Sequence, residues 1–579
     1  MTRTSVSIAA SLAATTCLLG ASAAHAGTPL NWSTVVNNNT QFPGDTRNFN
    51  SYNQPSVNNA GLVVFRARTQ GGSGSPASGI LTRDMSSPGN PIVPIITRGS
   101  AVPQPNNTGA VFNEFPSIPR IDATSSMIAT RGQSRPVLEY QNGVDPVTGE
   151  PVTTRGGTTG IYTNPGGTLI TGAAGLGNVS SNPFASNPDL TYFAVPNTSP
   201  NTKFDQFPGA PSATGGDTLV FKGNWTDAEG GQTGVYFRDV LANGGTAPVQ
   251  LIADSKTDIP GYAGTQFGST APPSAAGGRA VFLGVDNEAA PTKGGIYMAA
   301  LDDAKAADTP SLLTTIASIG GAVVNQANAF FTQIGEALSF DGKHVAFWGA
   351  WGEKDQNGAL VTATRSVTVS CGSIENAATS AFCLSQDDGL TSGSGVAGDG
   401  LYSFDVAVNQ GFFITDVDTL ETRLVAQTGD QFSDFVYWNF SGKVPGAEDE
   451  EDGELARWRS ASFIASDGWN AAFKGSGLDT TGLYHLFGGE LSTLAEYGMD
   501  GGALDPDAAG LAITSLGLER DSYRNGWLAI NAGMSDGENN MAGVYAARAV
   551  PEPSTWAIMI LGFAGVGAAI RRRRAVAAG

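Results

Sequence analysis

One short triplet, glycine followed by an aliphatic and an aromatic residue, recurs along most of this 579-residue chain. It stands at Gly160-Ile161-Tyr162, Gly234-Val235-Tyr236, Gly295-Ile296-Tyr297, Gly400-Leu401-Tyr402, Gly482-Leu483-Tyr484 and Gly543-Val544-Tyr545, with Gly79-Ile80-Leu81 a degenerate seventh. Ahead of each lies a short apolar run, usually ending in Phe. These runs are Leu62 to Phe65, Met127 to Ala129, Leu219 to Phe221, Ala280 to Phe282, Val345 to Phe347, Ala471 to Phe473 and Trp527 to Ile530. Strict alternation of two elements makes a repeat, and a repeat decides architecture before any local propensity does.

Two further elements complete the unit. Before the Phe run comes a segment such as Pro55-Ser56-Val57, Pro211-Ser212, Pro273-Ser274 or Leu338-Ser339-Phe340, then a turn rich in Asn, Asp and Gly: Asn58-Asn59-Ala60-Gly61, Ala276-Gly277-Gly278, Asp341-Gly342-Lys343 or Ser466-Asp467-Gly468. Such turns accept positive φ and join adjacent antiparallel strands. After the triplet comes another apolar stretch, as in Ile95-Ile96-Thr97, Leu251-Ile252-Ala253 or Leu424-Val425-Ala426. Four short strands in units mostly about sixty residues apart describe the blades of a β-propeller. The seventh unit stops after Gly543-Val544-Tyr545, and Ser33-Thr34-Val35-Val36, followed by Phe42-Pro43-Gly44, mirrors Leu251-Ile252-Ala253 followed by Ile259-Pro260-Gly261. The N-terminal strand is therefore expected to supply the last strand of the last blade and leave no exposed sheet edge at the seam. An open β-solenoid or two tandem sandwiches are the rival arrangements.

The unit also resembles a tandem repeat of exported bacterial proteins with varied C-terminal anchors, whose pattern is Asn, two residues, Gly, two residues and Ala-Phe. Asn58-Asn59-Ala60-Gly61 to Phe65 and Asp341-Gly342 to Phe347 approximate it, whereas Ser125 to Ala129 departs from it. That resemblance implies a fold and no chemistry.

Both termini carry address labels. Arg3, an apolar core from Ile8 to Leu19 and Ala24-His25-Ala26 form a signal peptide over residues 1–26, with signal peptidase expected to cut after Ala26. Cys17 lies within it, outside any lipoprotein context. At the other end Pro551-Glu552-Pro553 is followed by Trp556-Ala557, an apolar run to Ile570, and Arg571, Arg572, Arg573 and Arg574. Ala557 to Ile570 is fourteen residues, short against the roughly 20 that span a bilayer comfortably. Trp556 suits one interface and the arginines hold the other end on the cytoplasmic side. Residues 550–574 closely resemble the PEP-CTERM sorting signal of Gram-negative surface proteins, in the subtype carrying Trp-Ala. The resemblance implies a sorting helix, transient inner-membrane anchoring, processing by an exosortase, and delivery to the cell surface or extracellular matrix.

The body between them, residues 27–549, reads as one repeat domain. Without Arg3, Arg571 to Arg574 and Glu552 the chain has 27 basic and 51 acidic residues, a net charge of −24. Such a body repels nucleic acid and anionic membrane, so neither is an expected partner. Cys371 and Cys383, the two cysteines of an exported body, are expected to form a local disulfide closing a surface loop.

Catalytic signals are sparse. The body has two histidines, His344 and His485, both on expected strands, and no Gly-x-Ser-x-Gly elbow in a strand-to-helix context. That count leaves no set of histidine and cysteine ligands for zinc, and no cofactor is expected beyond diffuse calcium. Glu353-Lys354-Asp355-Gln356-Asn357-Gly358 alternates oxygen ligands before a glycine, but Thr364 stands where an EF-type loop needs a bidentate Glu. The acidic run Glu448 to Asp452 reads as a solvated loop. Aromatics crowd around it: Phe432, Phe435, Tyr437, Trp438 and Phe440 before, Trp458 and Trp469 after. Sugar rings stack on exposed indoles, which makes Trp438 and Trp458 the candidate glycan contacts, against the alternative that they are core. The expectation is an all-β, seven-bladed β-propeller-like ring of four-stranded repeats, flanked by signal peptide and sorting helix. Its role is structural or glycan-binding on extracellular polysaccharide; a polysaccharide hydrolase with paired carboxylates at the propeller mouth is the alternative.

Overall fold

The structure is a computed structural model that describes residues 30–71, 75–87, 89–104, 109–134, 138–145, 147–156, 159–175, 193–198, 202–301, 312–374, 376–386, 399–429, 431–442, 444, 456–477 and 479–549. The expected signal peptide with Ala24 and Ala26, the sorting segment from Pro551 to Arg574, and the acidic run Glu448 to Asp452 lie outside the described residues.

Seven antiparallel sheets form a ring, the seven-bladed propeller expected from the repeat. Blade 1 runs Phe49–Tyr52 with Ser56–Val57 (one inner strand in two halves), Leu62–Thr69, Ser78–Asp84 and Val93–Thr97. Blade 2 runs Phe112–Glu114 with Arg120–Ile121, Ile128–Ser134, Thr159–Thr163 and Ile170–Ala174. Blade 3 is Ser212–Thr214, Thr218–Asp227, Gly230–Asp239 and Gln250–Asp254. Blade 4 is Ser269–Thr270 with Ser274–Ala276, Arg279–Val285, Gly294–Ala300 and Leu313–Ser318. Blade 5 is Phe330–Ile334 with Ser339–Phe340, His344–Lys354, Gln410–Asp416 and Thr422–Gln427. Blade 6 is Ile464–Asp467, Asn470–Ser476, Thr481–Phe487 and Glu490–Glu496. Blade 7 is Ala512–Gly517 with Tyr523–Arg524, Trp527–Ser535, Asn540–Arg548 and, as its outer strand, Ser33–Asn37.

The triplet has a physical explanation. In all seven blades the pairing of third and outer strands slips at one point, between the second and third residues of the triplet position: Val235 faces Ala253 but Tyr236 faces Leu251, and in blade 7 Val544 faces Val36 but Tyr545 faces Thr34. A β-bulge of this kind bends the outer strand and brings its backbone close to the third strand. A Cβ at Gly79, Gly160 or Gly411 would lie 2.6, 2.5 or 2.5 Å from the carbonyl oxygens of Ile96, Ala173 and Ala426, so only glycine fits. The aliphatic residue then faces one neighbouring blade and the aromatic one the other.

Blade 5 corrects one sequence assignment. Gly400-Leu401-Tyr402 does not start its third strand; it leads into Leu401–Ala407, which pairs with Thr364–Ser370 in a hairpin inserted after the second strand. The third strand is Gln410–Asp416, and Gly411-Phe412-Phe413 fills the triplet position. Phe replaces the aliphatic residue there, which hid the true element behind a nearer match.

The core is a set of apolar gaps between blades. Phe204, Phe221 and Tyr236 meet with ring centroids 5.0 to 6.0 Å apart, and Phe267, Phe282 and Tyr297 repeat the cluster. A glycine on the second strand admits the ring that precedes the inner strand: a Cβ at Gly223 or Gly284 would lie 2.5 Å from Phe204 or Phe267. Each such buried ring contributes about 1.5–3 kcal/mol.

Closure is double. The Ser33–Asn37 strand pairs with Asn540–Arg548, and Arg83 of blade 1 donates from Nη1 to the carbonyls of Thr34 (3.1 Å) and Val35 (2.7 Å) at its bulge. Arg238, at the same repeat position in blade 3, binds Thr171 O (3.1 Å) and Gly172 O (2.8 Å) at the outer-strand bulge of blade 2. The chain's first strand is thus held as an ordinary outer strand.

Candidate functional site: the axis and the loop face

Alternation of strand direction gives the ring two faces. The turn face carries the turns after each inner strand and those before each outer strand. The loop face carries the connections between second and third strands and those that lead into the next blade.

At the axis, the segment Glu519–Ser522 interrupts the inner strand of blade 7 and reaches four other blades. Val57 N–H donates to Asp521 O (3.0 Å) and Ser522 Oγ to Pro55 O (2.7 Å) in blade 1. Arg120 of blade 2 donates from Nε to Asp521 Oδ2 at 2.5 Å, Arg520 donates to Pro272 O beside blade 4 (3.2 Å), and Ser339 Oγ of blade 5 donates to Arg520 O (2.6 Å). Arg524, just beyond it, donates to Ser466 O in blade 6 at 3.0 Å. A segment joined to so many members of a ring lies at its centre.

Two carboxylates converge there, Glu519 and Asp521, and both are committed. Asp521 is bridged to Arg120 and Arg524; Glu519 lies 3.3 Å from Arg520 and 3.6 Å from Arg120. Burial alone would raise the Asp521 carboxyl, but the guanidiniums of Arg120 and Arg524 outweigh it and hold the group below its ordinary value. A carboxylate so held is a poor proton donor; the three arginines of the axis face Glu519 and Asp521, and Glu336 also acts on Arg520. Nothing in the local sequence marked Arg120 as central, because its partners lie hundreds of residues away.

On the loop face, blade 5 carries an excursion between its second and third strands. It contains the Thr364–Ser370 and Leu401–Ala407 hairpin and the helix Ala377–Ser385, capped by Asn376, whose side chain accepts from Thr379 N–H at 3.1 Å. Cys371 and Cys383 form a disulfide, both fully buried. A second hairpin, Tyr437–Ser441 with Arg457–Ala461, rises between blades 5 and 6. Strand alternation and pairing put Trp438, Phe440 and Trp458 on one face of it, and that face meets the excursion. Trp438 stacks on Phe404 with centroids 4.0 Å apart; Trp458 meets Phe440 edge-on at 5.3 Å and lies 6.0 Å from Tyr402. Both indoles are half-buried, and their Nε1–H groups have no hydrogen-bond partner among the described residues. Around the disulfide, Tyr402, Phe404, Phe440 and Trp458 form a small satellite core, which Trp438 joins by stacking on Phe404.

The other singled-out residues serve the frame. His344 Nδ1 lies 3.1 Å from Asp341 at the turn between inner and second strands of blade 5. His485 is buried with Nε2 2.9 Å from Tyr523 Oη, and burial pushes it down to about 4. Asp355 Oδ1 accepts from the backbone N–H groups of Asn357 and Ala359, both at 2.8 Å, closing its own turn. Among the described residues no group of three or more His, Cys, Asp or Glu side chains is placed to hold a metal ion.

With the geometry in place, the C-terminus decides where the protein goes. Residues 549–574 match the PEP-CTERM protein-sorting motif. The chain carries a PEP-CTERM sorting signal. It is an exported protein, held transiently at the membrane, processed by an exosortase and delivered to the cell surface. No curated protein matches the chain. Among solved structures it is similar to the β-propeller domain of the Trilobed protease from Pyrococcus furiosus, at 9% identity over 59% of this chain and 83% of that one, TM-score 0.22. It is similar to the periplasmic gluconolactonase of Pseudomonas aeruginosa at 12% identity over 77% and 95%, TM-score 0.24. A third likeness is to an α-L-arabinofuranosidase from Podospora anserina, solved with cellotriose, at 6% identity over 59% and 89%, TM-score 0.21. At such scores none of them transfers an activity.

Proposed function

We propose that this PEP-CTERM protein is a non-catalytic module of the cell surface or extracellular matrix, whose loop face binds extracellular polysaccharide. The observation that carries the reading is the state of the axial acids. A glycosidase needs one protonated and one free carboxyl flanking a substrate, whereas Glu519 and Asp521 are both bridged to arginine in a closed axis. The convergence of those two acids is also the feature that favours the competing reading, a hydrolase. The binding reading keeps Trp438 and Trp458 as its candidate sugar contacts, although both are half-buried and packed into the satellite core on the loop face.

The test is a polysaccharide array probed with the residue 27–549 body, with and without calcium, scoring retained protein and released sugar separately. Retention without release, lost in Trp438→Leu or Trp458→Leu proteins that keep the disulfide, supports the proposal. Released oligosaccharide overturns it in favour of the hydrolase. Retention that needs calcium would add a cation to the recognition surface.

A further inference from the structure

We infer that, before exosortase processing, the propeller is held with its turn face toward the membrane and its loop face outward, an orientation imposed by a tether too short to bring the loop face to the membrane.

The argument starts from the seam of blade 7. Antiparallel pairing sets Ser33 opposite Ala546, so the start of the first strand lies beside the end of the last. Both membrane-directed segments, the N-terminal leader and the C-terminal sorting signal, therefore leave the ring at one edge. Strand direction fixes which face that is. The third strand ends, and the outer strand begins, on the turn face; in blade 1 the corresponding connection returns there, with Met85 N–H donating to Gly61 O at 2.9 Å.

The fold grips the chain almost to the motif. Ala549 N–H donates to Gly526 O at 2.7 Å, and Ala549 is 8% exposed. Pro551 follows after the single residue Val550, and the apolar run begins at Ala557. Seven residues, 550–556, thus separate the gripped Ala549 from Ala557; the eight Cα steps between those two reach no more than about 29 Å fully extended. The third strand of blade 7, nine residues long, spans roughly 27 Å from face to face, and the headgroup layer that the tether must also cross adds about 5–7 Å. A tether shorter than blade and headgroup layer together cannot bring the loop face to the membrane.

The surroundings of the exit agree. The Arg548 guanidinium lies over the Trp527 ring at 5.4 Å, and Gly61 leaves room for that indole, since a Cβ there would lie 2.6 Å from it. Leu30 and Trp32 pack half-buried on the blade 6 side of the same edge. Tryptophan and arginine are residues at home in the headgroup region. The body's charge opposes lipid contact, since acidic protein and anionic lipid repel. Orientation therefore comes from the tether, and cutting the tether releases the body.

The experiment uses the chain with its sorting segment intact, reconstituted in vesicles of phosphatidylethanolamine and phosphatidylglycerol doped with headgroup-nitroxide lipid. Single fluorescent labels go on Ser87→Cys, an exposed turn-face site beside blade 7, and on Glu538→Cys, at the loop-face end of blade 7. The expected result is strong quenching at position 87 and little at position 538. Equal quenching, or the reverse order, overturns the inference. A flexible Gly-Ser insertion of about a dozen residues after Ala549 should erase the difference; a difference that survives it would assign the orientation to lipid affinity and overturn the tether argument. None of these readouts depends on polysaccharide binding.

Discussion

At the scale of single residues, the repeat is a record of where backbone must approach backbone. Gly411→Ala puts a methyl into the Ala426 carbonyl, and a destabilisation of about 1–3 kcal/mol is expected in denaturant titration. Gly231→Ala, with nothing within 4 Å, should be near neutral. The axis gives a larger effect. Asp521→Ala leaves Arg120 and Arg524 buried without their counter-charge, for a loss of about 3–5 kcal/mol by the same titration. Because the Asp521 carboxyl is held below its ordinary value, its contribution is present above the unfolded carboxylate range and is lost as pH falls through the lower, folded value. His485 works in a different window. Above pH 6.5 it is neutral in both states; between 6.5 and about 4 only the unfolded chain takes up the proton, so stability should fall by about 1.4 kcal/mol per pH unit. His485→Gln should flatten that slope in pH-dependent unfolding curves.

At the scale of elements, what was legible followed from period and punctuation. The Phe runs, the Asn-Asp-Gly turns and six of the seven triplets announced their strands because each is set by local geometry. Blade 5 misled because a glycine, a leucine and a tyrosine start an inserted hairpin too, and local pattern cannot tell an insertion from the strand it interrupts. The rings Phe204 and Phe267, ahead of the inner strands, went unread for a related reason: they sit in irregular segments, and only the glycines opposite them, Gly223 and Gly284, betray the space they fill. The disulfide was legible from count and export, but not its burial beneath the aromatic satellite. Replacing Cys371 and Cys383 together by Ser should loosen that satellite and leave the ring intact. The expected signs are faster proteolysis within 371–407 and a change in tryptophan emission, with the main unfolding transition unmoved. Arg83→Met removes two charge-assisted hydrogen bonds to the Ser33–Asn37 strand, and faster hydrogen exchange confined to that strand and its partner is the expected readout.

At the scale of the whole molecule, the ring could be read from a strand missing at one end and supplied at the other, whereas the plug at its centre could not. Arg120 and Asp521 are 401 residues apart in sequence, and no spacing rule connects them. A body lacking residues 27–37 has six complete blades and an unpaired edge along Asn540–Arg548. It should associate through that edge, seen as a concentration-dependent rise in mass by light scattering.

The same seam sets an order of events in time. The strand that closes the circle is the first to leave the translocation machinery, and its partner is nearly the last. Bringing the two together from a random chain of some 500 residues would cost roughly 5–6 kcal/mol of loop entropy. Blades that form as they emerge replace that search with the joining of a curved arc whose ends already lie near each other. The circle therefore stays open throughout secretion and shuts only when the last strand is free, with the sorting signal following directly behind it.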